Sequence, residues 1–292
     1  MRWEPSGLSA ETSACAYCSP YFDVNWPFRL RKSFAEGRVI SPPSNAAWLC
    51  RQFVLAANSR GNEHVDVAFA HALGIESYVQ GNPDQYDLVR AAISSLRKQQ
   101  RAIIAALSLH ATVTVELYTP IQAVDAELSA MNNLHQALRN FPQFSSGEYP
   151  LALGWAANVL PSSGYVTNAM ETAKILNDII ELRSKLTSMR FPPAVNEFLE
   201  QLLKELENGV ITASFEGAAS LHRACRNAVS EIAAAEDHLR SAVPDLNEAQ
   251  RSYLSEAADK VEKVGKIAGG FSAAIEFAQK LVPLVLNSVP NS

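Results

Sequence analysis

The sequence predicts an all-α protein: an antiparallel bundle or stack of long helices behind an irregular, aromatic- and Pro-rich N-terminal arm. Three observations carry this. Apolar residues from Trp48 onward recur at spacings of three and four, the period of one helix face. The links between these stretches are short Pro or Gly breaks, so successive long helices must fold back on one another. The first 45 residues instead hold Pro5, Pro20, Pro27, Pro42 and Pro43 among Trp3, Tyr17, Tyr21, Phe22, Trp26 and Phe28. Proline fixes φ and removes a donor, which excludes long elements there. The expected plan is an arm over 1–45 and one helical domain over 46–292, which could subdivide near 145–168. No fixed repeat of 30–50 residues indicates a solenoid.

The chain has 292 residues, 48% apolar and 19% charged, which is ordinary for a folded protein and too apolar for disorder. Its net charge of −5 argues against nucleic acid as a partner, because displacing counterions needs a basic surface. A basic cluster, Arg29, Arg31, Lys32 and Arg38, reads as solvated or internally paired. The N-terminus lacks the apolar core and cleavage pattern of a signal peptide, and no constitutive membrane span is expected. A cytoplasmic location is the expectation.

Taken in order, a first helix carries Trp48, Phe53 and Val54, with Ser44 or Asn45 as its cap. Ser59–Asn62 breaks it. A short helix over 63–73 ends at Gly74, and Gly81-Asn82-Pro83-Asp84 is a turn and a helix start. Residues 84–141 read as one long helical stretch on Leu88, Ala92, Leu96, Ile103, Leu107 and His110. Within it, Thr112–Val115 is β-branched and alternating, giving a kinked helix or, alternatively, a short strand. Pro120 marks a kink or break, and Ile121–Arg139 resumes as helix up to Phe141-Pro142.

Next comes an uncharged insert, Tyr149–Met170, in which a short helix over 151–160 is expected between turns. From Asn168 the pattern is clearest. One helix carries Leu176, Ile179, Leu182 and Leu186 and stops at Phe191-Pro192-Pro193. The next carries Val195, Phe198, Leu199, Leu202, Leu203 and Leu206, with Asn208-Gly209 as a left-handed C-cap. Ile211 to Val243 then reads as one helix of more than thirty residues, roughly 45–50 Å long, stopped by Pro244. Asp245 with Glu248 forms a capping box. Glu256–Lys260, Asp259–Lys263 and Glu262–Lys266 pair at i,i+4 on a face expected in water. A last apolar helix runs from Phe271 to Leu286.

No catalytic, metal or nucleotide motif rises above this background. P-loop spacing and a Gly-x-Ser-x-Gly elbow are absent. No Asp or Glu stands three residues before a histidine, so the Glu-x-x-His pair of a di-metal bundle is missing. Cys15 and Cys18 have zinc or redox spacing, but only Cys50, His64 and His71 could complete a metal set, at no recognised spacing. They read as ordinary thiols. Cys225, i+3 from His222, reads as a core cysteine. Asp178 and Glu181 read as solvated surface charges, and Arg223 and Arg226 as ion-pair partners rather than anion ligands. No cofactor is expected, and no small-molecule ligand is identifiable.

Two low-charge surfaces remain: the insert, and Ile267–Val289, whose only charges are Glu276 and Lys280. The function expected first is a non-catalytic helical assembly or protein-interaction protein, its partner another protein or a second subunit. The contact candidates are Trp3, Trp26, Phe28, Tyr149, Leu151, Trp155, Val159, Tyr165, Phe271 and Phe277. The alternative is a membrane-active, pore-forming-like protein using 149–170 or 267–289. A third reading is an enzyme whose site assembles from separated residues, around His64, His71 and Glu76 or His222.

Overall fold

The computed structural model describes residues 46–109, 113, 115–160, 169–242 and 246–267. Among them are ten α-helices: α1 (Ala46–Asn58), α2 (Val65–Leu73), α3 (Pro83–Ser108), α4 (Val115–Ala130), α5 (Pro142–Ser145), α6 (Glu148–Val159), α7 (Ala169–Met189), α8 (Pro193–Glu216), α9 (Ala218–Ala242) and α10 (Glu248–Ile267). A 3-10 turn spans Leu138–Asn140. No strand occurs among the described residues beyond one isolated bridge, His64 to Ala137. The chain is all-α, as the periodicity requires. The N-terminal arm, including Trp3, Cys15, Cys18, Trp26 and Phe28, lies outside the described residues.

The helix starts follow local chemistry. Asn82 accepts from the Asp84 amide at 3.0 Å, and Pro83 opens α3, where its missing N–H is one the helix end leaves unused anyway. Gly74 closes α2 with φ 74°. Three expectations are corrected. The stretch 84–141 is two helices, since α3 stops at Ser108, Val113 is irregular and Val115 already belongs to α4. Pro120 lies inside α4, as its sixth residue, where its missing N–H removes one i→i−4 bond without ending the helix, which runs on to Ala130. Residues 131–139 turn back instead, because Val65, Asp66, Leu138 and Arg139 exchange backbone bonds between 61–66 and 134–139.

The third correction concerns Asn208-Gly209, which is no cap. Helix α8 runs through it to Glu216, and Gly217, at φ 73°, makes the break. A Cβ on Gly209 would collide with Cβ of Ala224 on α9. Gly209 is therefore a close-approach glycine, and Ser220 donates its hydroxyl to the Gly209 carbonyl at 3.2 Å. The expected thirty-residue helix is divided at Gly217 into the end of α8 and the 25 residues of α9.

Helix α8 is central and packs on α1, α3, α7, α9 and α10. Helices α8 and α9 are antiparallel, Gly209 facing Ala224 and Glu205 facing Asn227, whereas α3 and α8 run the same way: Ser95 meets Thr212 and Gln99 meets Glu216, at constant separation in number. A column of buried rings joins five helices. Phe215 of α8 lies 4.7 Å from Phe53 of α1, Phe53 5.1 Å from Phe69 of α2, Phe69 5.5 Å from Phe144 of α5, and Phe144 5.8 Å from Tyr149 of α6. The Tyr149 hydroxyl donates to Gln100 of α3, whose amide donates to the Ile121 carbonyl of α4. A polar pair thus closes the column without leaving the phenol unsatisfied.

Helix α10 docks antiparallel on α7. Asn247 and Gln250 form the capping box, each accepting from the other's amide at 2.9 Å; the expected Asp245 lies outside the described residues. Gln250 also donates to the Met189 and Arg190 carbonyls, so one side chain serves two helix ends. The Tyr253 hydroxyl reaches the Leu182 carbonyl at 2.9 Å. Lys260 does not use Glu256. It pairs with Asp178 of α7 at 2.7 Å, and both are largely buried, which corrects the watery face expected for each. Glu256 faces Lys185 of α7 at 3.7 Å, whereas Glu262 and Lys266 pair as expected at 2.5 Å.

One buried acid gives a pH prediction. Glu207 of α8 is 3% exposed, and burial pushes its carboxyl up to about 7, against the opposing pull of Arg183 at 3.0 Å. Burial wins because Arg183 divides its guanidinium with Asp84 and is itself partly in water. The folded chain binds this proton more tightly than the unfolded chain. Its stabilisation is therefore complete below the ordinary glutamate range and lost as pH rises towards 7, by about 2–3 kcal/mol. Glu207→Gln keeps an acceptor for Arg183 and removes the titration. Urea melts from pH 4.5 to 8 are expected to show a smaller decline for Glu207→Gln than for wild type, and equal declines would contradict the assignment.

Candidate interaction surface

The uncharged insert is built on α6 and anchored by α1. The two are antiparallel: Asn58 donates to the Phe144 carbonyl at 3.1 Å, and Arg51 Nε to the Pro150 carbonyl at 3.2 Å. Pro150 falls in the first turn of α6, where amides have no intrahelical acceptor. Gly154 leaves room for Arg51, since a Cβ there would lie 2.9 Å from Arg51 Nε. The Arg51 guanidinium also covers the Trp48 ring, 5.6 Å from its centre. Tyr149, Pro150, Ala152, Leu153, Ala156 and Ala157 are buried. Tyr149 is thus core, and its ring ends the aromatic column.

The outward side of α6 differs. Leu151 is 69% exposed, while Trp155 and Val159 are partly buried and rest against the core. On α1, Leu55 is 39% exposed. The structure therefore divides the insert. Its helix is core on one side and carries exposed leucine on the other. Tyr165, Phe271 and Phe277 lie outside the described residues, as does most of the second low-charge segment, 268–289. Sequence reading missed Arg51, because a lone arginine on an apolar helix gives no sign that it will hold the insert. It also missed Leu109 and Val115, 87% and 56% exposed at the ends of α3 and α4.

Among the described residues, those raised for chemistry do not assemble a reactive centre. Cys50 is fully buried, and burial raises its thiol far above the ordinary range. Burial pushes Cys225 up to about 12. Both pack in the core; Cys15 and Cys18 lie outside the described residues. His71 is on the last turn of α2 and exposed, His222 lies on α9, and the Glu76 amide is capped by Asn177 at 3.2 Å. Glu181 pairs with Lys185 at 2.9 Å, and Arg223 with Glu216. Instead of His71, the structure brings His135 to His64, ring centres 6.1 Å apart. Among the described residues no three His, Cys, Asp or Glu side chains gather as a cation site.

A shallow recess lies between α7, α8, α9 and α10, lined by Thr172, Ile175, Val210, Leu221, Val264 and Ile267, with no interior room for a water molecule. Among the described residues no helix is long and apolar enough to cross a membrane. Helix α6, with 12 residues, spans only about 18 Å against a hydrocarbon core of about 30 Å. No protein-family model matches the chain, and neither a curated protein nor a solved structure is significantly similar to it.

Proposed function

We propose that the chain is a non-catalytic helical assembly or protein-interaction protein, and that the outward strip of α6 contacts its protein partner, a second copy or another subunit. The observation that carries this reading is the exposure of Leu151 on a helix whose opposite side is fixed in the core. A rigidly held apolar side chain binds at little entropic cost, because its position is set before the partner arrives. The absence of charge from Tyr149 to Met170 removes the desolvation penalty that usually opposes contact. Trp155 adds aromatic area beside it, the residue type enriched where binding energy concentrates.

Leu151→Asp tests this. Leu151 touches water already, so the change is expected to alter folding stability by no more than about 0.5 kcal/mol. Sedimentation velocity over a concentration series, alone and with co-purifying protein, is expected to show a complex for wild type and a free monomer for Leu151→Asp. Monomers of both proteins at every concentration, with no partner whose capture depends on Leu151, would overturn the proposal.

A further inference from the structure

We propose that the end of the bundle where α7 begins and α10 ends is the docking surface for the chain's own low-charge segment, 268–286, which turns back at Gly269-Gly270 and lies across the recess between α7, α8, α9 and α10. The first support is register. Helix α10 climbs along α7 with Gln250 at the Met189 and Arg190 carbonyls, Tyr253 at the Leu182 carbonyl and Lys260 at Asp178. Val264 and Ile267 then line the recess with Ile175 and Thr172. Helix α7 starts at Ala169, only three residues before Thr172, so it gives out at the level of Ile267. Val210 and Leu221 line the same recess, so α8 turns into α9 at this end too, at Gly217.

The helices that flank α10 therefore stop where its apolar pattern does not. The buried stripe Tyr253, Ala257, Val261 and Val264 continues at spacings of three and four through Ala268, Phe271, Ile275, Ala278 and Val282. A straight helix over 268–286 would carry that stripe about 28 Å past the end of the bundle, with Phe271, Ile275, Phe277 and Leu281 in water. Gly269-Gly270 stands where a reversal avoids this, since adjacent glycines take backbone angles closed to other residues.

The surface suits this occupant. Met170, on the first turn of α7, is 53% exposed, and Ile267 is half-buried. The recess walls Ile175, Val210, Leu221 and Val264 are apolar and leave no interior room, so a cover must be apolar and must lie over them. Segment 268–286 carries only Glu276 and Lys280, at the i,i+4 spacing of a self-neutralising pair. The tether selects the chain's own segment over a second copy. Phe271 follows Ile267 by four residues, about 14 Å of chain at most. So short a link holds the segment over its own recess at about millimolar effective concentration. This docking is independent of the α6 strip.

The test is cross-linking of the full chain with a short bismaleimide, in a Cys15→Ser/Cys18→Ser background; Cys50 and Cys225 are buried and do not compete. Met170→Cys/Ser272→Cys is expected to link within one chain, with a yield unchanged by about tenfold dilution. Val79→Cys/Ser272→Cys is the control. Val79 is 60% exposed and held by Gln85, far before the Gln99 that meets Glu216, so it lies about 20 Å further down the bundle. Its yield is expected to be about tenfold lower. Adding Phe271→Asp to the first pair is expected to remove most of its link. In the same variant, amide exchange is expected to speed up in the first two turns of α7 and to stay unchanged in α1. Links that form between chains, equal yields from Met170→Cys and Val79→Cys, or a Met170→Cys link that survives Phe271→Asp would overturn the proposal.

Discussion

Phe53→Ala is expected to destabilise the chain by about 4 kcal/mol, the upper part of the range for deleting a buried ring. Phe53 is 4% exposed and is an inner ring of the aromatic column, 4.7 Å from Phe215 and 5.1 Å from Phe69. Its loss leaves a cavity and breaks two ring contacts, each worth about 0.5–1.5 kcal/mol beyond the area they bury. The surrounding rings come from α2 and α8, which are tied elsewhere, so they cannot close the gap cheaply. Domains of this kind hold about 5–15 kcal/mol in all. Chemical denaturation followed by tryptophan fluorescence is expected to move to a clearly lower midpoint, whereas Phe53→Leu, which refills much of the space, is expected to cost less than half as much. Equal costs would mean that the column is not the organising contact.

Gly209→Leu is the second large effect. Leucine is a good helix former, so propensity alone would stabilise α8 by about 0.5–1 kcal/mol. The structure predicts the opposite sign. Even a methyl group at Gly209 meets the Ala224 Cβ, which is fixed to the backbone of α9 and cannot swing away. The hairpin must open, at a cost of about 3 kcal/mol. Combining it with Ala224→Gly is expected to recover part of this. The two changes should therefore be non-additive by about 1 kcal/mol or more in thermal melts, as expected for residues in contact. A stabilised Gly209→Leu would show that α9 does not approach α8 closely at Gly209.

The same residue shows why part of the fold was not legible beforehand. Asn208-Gly209 carries the local signal of a helix end, and a glycine needed for close packing looks identical in a single sequence. Gly217, the real break, has no such flank. Spacing by one turn pairs Lys260 with Glu256 in the sequence. Lys260 chooses Asp178, 82 residues away, because α7 covers that face. The candidate surface was half legible. Its lack of charge announced that something must cover the insert, but without polar residues to mark an outer face, Leu151 could not be told from Leu153. His64 and His135 lie 71 positions apart, and no spacing rule joins them.

What the sequence determined by itself is the local plan: the helical class, the α2 stop at Gly74, the α3 start at Asn82-Pro83, and the turn at Phe191-Pro192-Pro193. These follow from periodicity, capping and proline, which act over a few residues. Only the tertiary structure decided which glycine bends the chain and which lets two helices touch. It also decided which ring is core, which leucine meets water and which histidine finds a partner. Each of those outcomes depends on atoms far apart in the chain, whose meeting is set by the packing of whole helices and leaves no mark on the residues beside them.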